Sequence, residues 1–127
     1  MRRLWTPWAG PLLVAALAFA TRLGPLLASG TLDDAIEYDD GVYYAAAAHA
    51  LHGELPYRDF AFVHPPGVIW FALPFAAIGR VAGDVVGLAV ARIVLCAVGA
   101  LTAVLVLRLV ARIAPAWSLL AGLGYAV

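Results

Sequence analysis

Two long apolar stretches constrain this chain more than any other feature. Residues 8–27 carry a single charge, Arg22, and 20 residues of helix measure about 30 Å, enough to cross a bilayer. Residues 85–110 carry Arg92 near the start and Arg108 near the end, where long side chains can snorkel to opposite interfaces. Because 65% of the chain is hydrophobic and 13% charged, the composition is typical of a membrane protein.

A third apolar run, residues 113–127, reaches the end of the sequence with no charge. Its length is too short for a span, so we expect a third span that is truncated. The pattern predicts an all-α fold of polytopic transmembrane helices, with residues 1–127 forming the N-terminal part of a longer membrane domain.

Charge is distributed unevenly along the chain. Residues 28–84 contain all eight acidic side chains and only two of the eight arginines. Arg2 and Arg3 precede the first span, while Arg108 and Arg112 lie between the second and third, so both places are predicted to be cytoplasmic. The acidic segment then forms a long extracytoplasmic loop. The net charge is zero and Lys is absent, which gives no support to nucleic-acid binding.

The N-terminus also fits an alternative. Met1-Arg2-Arg3, a short apolar stretch and Ala18-Phe19-Ala20 are typical of a secretory signal peptide with its cleavage site. Continuation of the apolar stretch to Leu27 favours an uncleaved span. The acidic loop is predicted to be extracytoplasmic in either case.

The loop is predicted to carry two short juxtamembrane helices. The first is expected over 41–51, since Asp39 and Asp40 suit the positive end of a helix dipole and Gly53 suits a C-terminal stop. The second is expected over 68–78, after a proline pair that favours a first turn. Eleven residues cannot span a bilayer, so this helix should lie at the interface.

These motifs, in this order, resemble the opening of the GT-C glycosyltransferases, especially the bacterial protein-mannosyltransferase-like and aminoarabinose-transferase-like enzymes. The resemblance is carried by Asp39-Asp40-Gly41-Val42-Tyr43, Gly53, Tyr57-Arg58-Asp59, His64-Pro65-Pro66 and Arg92 early in the second span. Asp40 departs from the pattern, because the family often has Glu there, and so does Gly67, where an apolar residue is frequent.

The resemblance implies transfer of a sugar from a polyprenyl-phosphate donor to a lipid, glycan or protein acceptor at the outer membrane face. It implies a multi-pass protein of the bacterial inner (plasma) membrane with a cytoplasmic N-terminus. Asp39 and Asp40 would be catalytic, and Tyr43, Arg58 and His64 would bind substrate. The resemblance implies no cofactor and assigns no metal ligands, and the chemistry is compatible with a divalent metal ion.

Less specific interpretations stand beside these. Asp33, Asp34 and Glu37 are typical of a solvated acidic stretch, and Arg58 can simply pair with Asp59. His49 and His52 could ligate a metal, but a histidine pair with no third ligand favours interfacial packing. A non-catalytic small membrane protein, whose acidic outer loop binds a partner or a cation, is the main alternative. A transporter fragment is disfavoured, since its charges would lie near the membrane midplane.

Overall fold

The computed structural model describes residues 8–34 and 38–127, and this part of the chain is helical, with no β-strand. Its helices are α1 (Ala9–Ala28), α2 (Tyr38–Leu51), α3 (Gly67–Ala82), α4 (Asp84–Ile113) and α5 (Ser118–Ala126), with a 3-10 turn at Pro115–Trp117. The predicted all-α class is confirmed over these residues. Arg2, Arg3 and Glu37, which entered the sequence analysis, lie outside them.

Helices α1 and α4 are long and apolar enough to cross a membrane, with mean hydropathies of 1.7 and 2.6. The core helix of a soluble protein would be mostly buried, whereas the apolar windows of these two helices are only 11% and 22% buried. Their exposed apolar surface favours association with a membrane.

Residues 8–27 and 93–127 form one compact unit, which we call the α1–α5 unit. Its core consists mainly of small side chains, which allow helices to approach closely. The buried members are Val14, Ala18, Ala100, Ala103, Leu107 and Ala126. A Cβ at Gly122 would lie 2.9 Å from Cβ of Leu107, so a larger residue there would push α4 and α5 apart.

Arg22 has a structural role within the α1–α5 unit. Its guanidinium donates hydrogen bonds to the carbonyls of Tyr125 and Ala126, at 2.9 and 3.1 Å, and to the carbonyl of Ala18 in its own helix. The Thr21 hydroxyl donates to the Ala126 carbonyl as well. Arg22 and Thr21 thus tie α1 to the backbone of Tyr125 and Ala126 in α5.

Residues 28–92 form the second compact unit, the α2–α3 unit, in which α2 packs against α3. Buried alanines on α2 face the buried side of α3, which includes Ile69, Ala72 and Phe75. The corner between α3 and α4 is at Gly83, whose φ of 99° is disfavoured for residues with a Cβ. The Gly83 amide donates to the Gly79 carbonyl at 2.8 Å and closes α3.

Several helix boundaries differ from the sequence-based expectation. Helix α2 begins at Tyr38 rather than Gly41, which places both aspartates inside the first turn. Helix α3 continues past Ile78 to Ala82, and the buried Gly79 lies within it. The apolar run over 113–127 is interrupted at Pro115, which lacks an amide hydrogen and begins the 3-10 turn.

Candidate functional site

The candidate site is built on the N-terminal turn of α2, where Asp39 and Asp40 lie side by side. Carboxylates are stabilised there by the partial positive charge of the helix end. Consecutive helical residues point about 100° apart, and the two side chains accordingly differ. The Asp39 residue is exposed, whereas Asp40 turns inward.

Asp40 is held by Arg92 from the third turn of α4. The Arg92 guanidinium donates from Nε and Nη2 to Oδ2 of Asp40, at 2.8 and 2.5 Å. Its Nη1 donates to the carbonyls of Thr31 and Leu32, at 2.6 and 2.9 Å. Arg92 is only 6% exposed, so these four bonds replace the water that a buried guanidinium loses.

This pairing changes the interpretation of both residues. The position of Arg92 in an apolar span predicts a side chain that snorkels to an interface, yet its donors are used inside the α2–α3 unit. Asp40 was assigned to catalysis, but its Oδ2 is occupied by Arg92 and its Oδ1 is buried without a partner among the described residues. A carboxylate in this position anchors α2 and is poorly placed to accept a proton from a substrate. Asp39 is the carboxylate that is exposed to solvent.

A second polar contact joins α2 to α4 one turn further along. The Tyr44 hydroxyl donates to Oδ1 of Asp84 at 3.2 Å, and Tyr44 is 8% exposed. Burial, followed by the hydrogen bond and the negative charge of Asp84, raises the pKa of Tyr44 to about 12. The phenol therefore stays protonated and keeps donating up to a higher pH than an ordinary tyrosine would.

Tyr43 and His64 lie together in an aromatic cluster formed with the segment after α2. The Tyr43 hydroxyl is 3.4 Å from Nδ1 of His64, and the rings meet edge to face with centroids 5.0 Å apart. Phe62, 6% exposed, forms the centre and contacts the rings of four neighbours. Those neighbours are Tyr43, Tyr57, Phe60 and His64.

The segment that carries Arg58 folds back on itself. Arg58 donates from Nη2 to Oδ2 of Asp59 at 2.7 Å, and this bond lowers the pKa of the exposed Asp59 carboxyl. Asp59 also accepts the Leu55 amide at 2.7 Å. Tyr57 has a positive φ of 67°, and its hydroxyl donates to the His64 carbonyl. The segment borders an open groove of about 550 Å³ lined by residues 57–63.

The five residues predicted to act together fall into three groups. Tyr43 and His64 are in contact, and Asp39 is next to Asp40 on α2. Arg58 pairs with Asp59, the simpler of the two interpretations offered for it; within the described part of the chain it makes no ion pair with either aspartate of α2. Sequence reasoning missed the Tyr44–Asp84 contact. The available signal was an aspartate at a helix start, which is too common to indicate a partner on another helix.

The two loop histidines have local partners. His49 donates from Nδ1 to Glu54 at 2.5 Å, and His52 donates from Nδ1 to the Ala48 carbonyl at 2.8 Å. Across residues 8–34 and 38–127, no three His, Cys, Asp or Glu side chains are grouped as metal ligands would be. Both histidines are exposed and are held by these local hydrogen bonds.

Comparison with known proteins gives no match: no family model, no curated protein and no solved structure matches this chain.

Proposed function

We propose that this chain is the N-terminal part of a GT-C-type glycosyltransferase, which transfers a sugar from a polyprenyl-phosphate donor to an acceptor at the extracytoplasmic membrane face. The order of its motifs, which resembles that family, supports the proposal. The observation that carries it is the unequal pair on α2: an exposed Asp39 directly beside an Asp40 that Arg92 holds in place. A general base needs this combination of access and fixed position.

In the proposed reaction, an acceptor hydroxyl attacks the anomeric carbon of the donor sugar. Asp39 accepts the proton of that hydroxyl as the new C–O bond forms. The bond between the anomeric carbon and the lipid phosphate breaks, and its electron pair stays on the phosphate oxygen. Donor and acceptor supply all the atoms, so no oxidant or cofactor enters the balance.

The leaving phosphate needs positive charge or hydrogen-bond donors nearby. Arg92 is a poor candidate, because four hydrogen bonds already use its guanidinium. Arg58 remains a candidate: its side chain is 64% exposed and Asp59 engages only its Nε and Nη2. In this scheme Tyr43 and His64 contact the sugar or phosphate, and Asp40 acts as a positioning residue.

The proposal includes a topology. Helices α1 and α4 cross the membrane in a multi-pass protein of the bacterial inner membrane, with the N-terminus in the cytoplasm and helices α2 and α3 on the extracytoplasmic side. The placement of arginines and acids in the sequence supports this orientation. The exposed Asp39 carboxylate would then lie close to the membrane surface, where a polyprenyl-phosphate headgroup is found.

The test uses membranes that contain the complete gene product and radiolabelled polyprenyl-phosphate sugars, each supplied separately. We expect one donor to lose its label to an acceptor, with release of polyprenyl phosphate, and no transfer by membranes lacking the protein. Absence of transfer from every donor, with the protein present and inserted, would contradict the proposal. That outcome would favour the alternative, a non-catalytic membrane protein with an acidic outer loop for a partner or cation.

A further inference from the structure

Tyr44 occupies a confined position at the corner between α3 and α4. Its hydroxyl lies over Gly79 of α3 and Gly87 of α4, and a Cβ added to either glycine would collide with it. The same hydroxyl donates to Asp84, the first residue of α4. Three residues from two helices thus enclose one phenol, which sits on the buried side of α2.

This contact and the Asp40–Arg92 pair act on the same helix. Asp40 and Tyr44 are four residues apart, so they lie on one face of α2, about one turn from each other. Their partners, Arg92 and Asp84, are eight residues apart on α4 and follow in the opposite order. Two contacts at different heights fix both the axial position and the rotation of α2, whereas a single contact would allow α2 to pivot.

We propose that Tyr44 is a positioning residue, which locks α2 into the α3–α4 corner and thereby fixes the direction in which Asp39 points. Tyr44 does not touch substrate in this scheme. The part of the inference that concerns catalysis rests on the proposed function, while the lock itself does not. Each part therefore has its own experiment.

The lock is tested by a double-mutant cycle in the detergent-solubilised chain, with the midpoint of thermal unfolding as the readout. Gly79→Ala should lower the midpoint by about 4 °C or more, because the new methyl group displaces the Tyr44 hydroxyl. In a Tyr44→Phe background the hydroxyl is gone, and the closest contact that remains among the three nearest atoms is the Asp84 carboxylate at 2.9 Å. In this background Gly79→Ala should lower the unfolding midpoint by less than half as much as it does in the wild-type protein.

Gly67→Ala is the matched control, since it lies on the same helix and its added Cβ would meet no atom within 4 Å. Gly67→Ala should change the unfolding midpoint by the same amount in the wild-type protein and in the Tyr44→Phe background. Coupling of Tyr44 to Gly79 but not to Gly67 supports the lock. Additive effects of Gly79→Ala and Tyr44→Phe would overturn it.

Positioning is tested by the transfer kinetics of the complete gene product. Tyr44→Phe should lower kcat about tenfold and leave the KM for the donor within about twofold, since a misdirected base slows the chemical step without removing a substrate contact. Unchanged kcat in Tyr44→Phe, when Asp39→Asn abolishes transfer, would overturn positioning and leave the proposed function intact. Full transfer by Asp39→Asn would overturn Asp39 as the general base and, with it, the positioning role of Tyr44. Absence of transfer by the wild-type protein would overturn the proposed function. Neither outcome bears on the lock, which the double-mutant cycle tests.

Discussion

The guanidinium of Arg92 donates two hydrogen bonds to one oxygen of Asp40, across 52 residues of sequence. Because the remaining nitrogen of Arg92 binds the carbonyls of Thr31 and Leu32, one side chain from α4 ties together the segment before α2 and the first turn of α2. The exposed Asp39 is consequently presented from a fixed helix end. The proposed glycosyltransferase site depends on this arrangement.

Removing Arg92 should destabilise the protein strongly. Arg92→Leu leaves the Asp40 carboxylate half-buried with no partner, and breaking a buried ion pair costs about 3–5 kcal/mol. Denaturant unfolding in detergent measures the loss. Arg80→Leu, an exposed position on α3, is the control and should change stability by less than about 0.5 kcal/mol.

The double variant sharpens this test. Adding Asp40→Asn to Arg92→Leu removes the unpaired charge and should restore part of the lost stability. Equal stability of Arg92→Leu and Arg80→Leu would contradict an anchoring role for the pair.

Phe62 should be the most sensitive position in the segment after α2. The side chain is buried among four rings, and Phe→Ala in a packed cluster costs about 3–5 kcal/mol. We expect Phe62→Ala to open this segment to protease cleavage while α1 and α4 remain intact. Val63→Ala, at a neighbouring residue that is 91% exposed, should be cleaved as slowly as the wild-type protein.

The stability of the protein should fall at alkaline pH through Tyr44. The pKa of Tyr44 is about 12 in the folded protein against 10.0 for an ordinary tyrosine. Its contribution to stability is therefore complete below pH 10 and is lost as the pH rises towards 12. Tyr44→Phe should remove this part of the pH dependence, measured as the unfolding midpoint against pH. Identical profiles for the two proteins would contradict the raised pKa.

The orientation of the α2–α3 unit can be tested with an impermeant thiol reagent. Asp34 is exposed and Cys96 is buried, so Asp34→Cys is placed in a Cys96→Ala background. We expect labelling in cells whose outer barrier admits the reagent. Arg112→Cys, at the predicted cytoplasmic end of α4, should be labelled only after lysis. The reverse pattern would contradict the proposed topology.

The sequence predicted the helices well because their signals are local. Uncharged apolar stretches marked α1 and α4, and two aspartates followed by alanines marked α2 within three residues of its start. The partners of the polar side chains could not be predicted in the same way. Arg92 interrupts an apolar span, which marks it as unusual, but nothing near it in the sequence indicates that Asp40 is its partner.

The candidate site shows the same limit. Adjacent aspartates in a helix are expected to point in different directions, but the sequence does not indicate which of the two turns inward, and both were assigned to catalysis. They differ only because the helix turns by about 100° between them, which directs Asp40 to Arg92 and leaves Asp39 exposed. The contact between Tyr43 and His64 likewise depends on how the segment after α2 folds around Phe62.

The most direct measurement is the rate of sugar transfer by Asp39→Asn, compared with Asp33→Asn, in membranes carrying equal amounts of the complete gene product. Both substitutions remove one exposed carboxylate from the same acidic segment, so general effects of charge cancel. If Asp39 is the general base, Asp39→Asn should lower the rate at least about 100-fold, while Asp33→Asn should retain the wild-type rate. Equal rates in the two variants would contradict the role of Asp39 and the mechanism built on it.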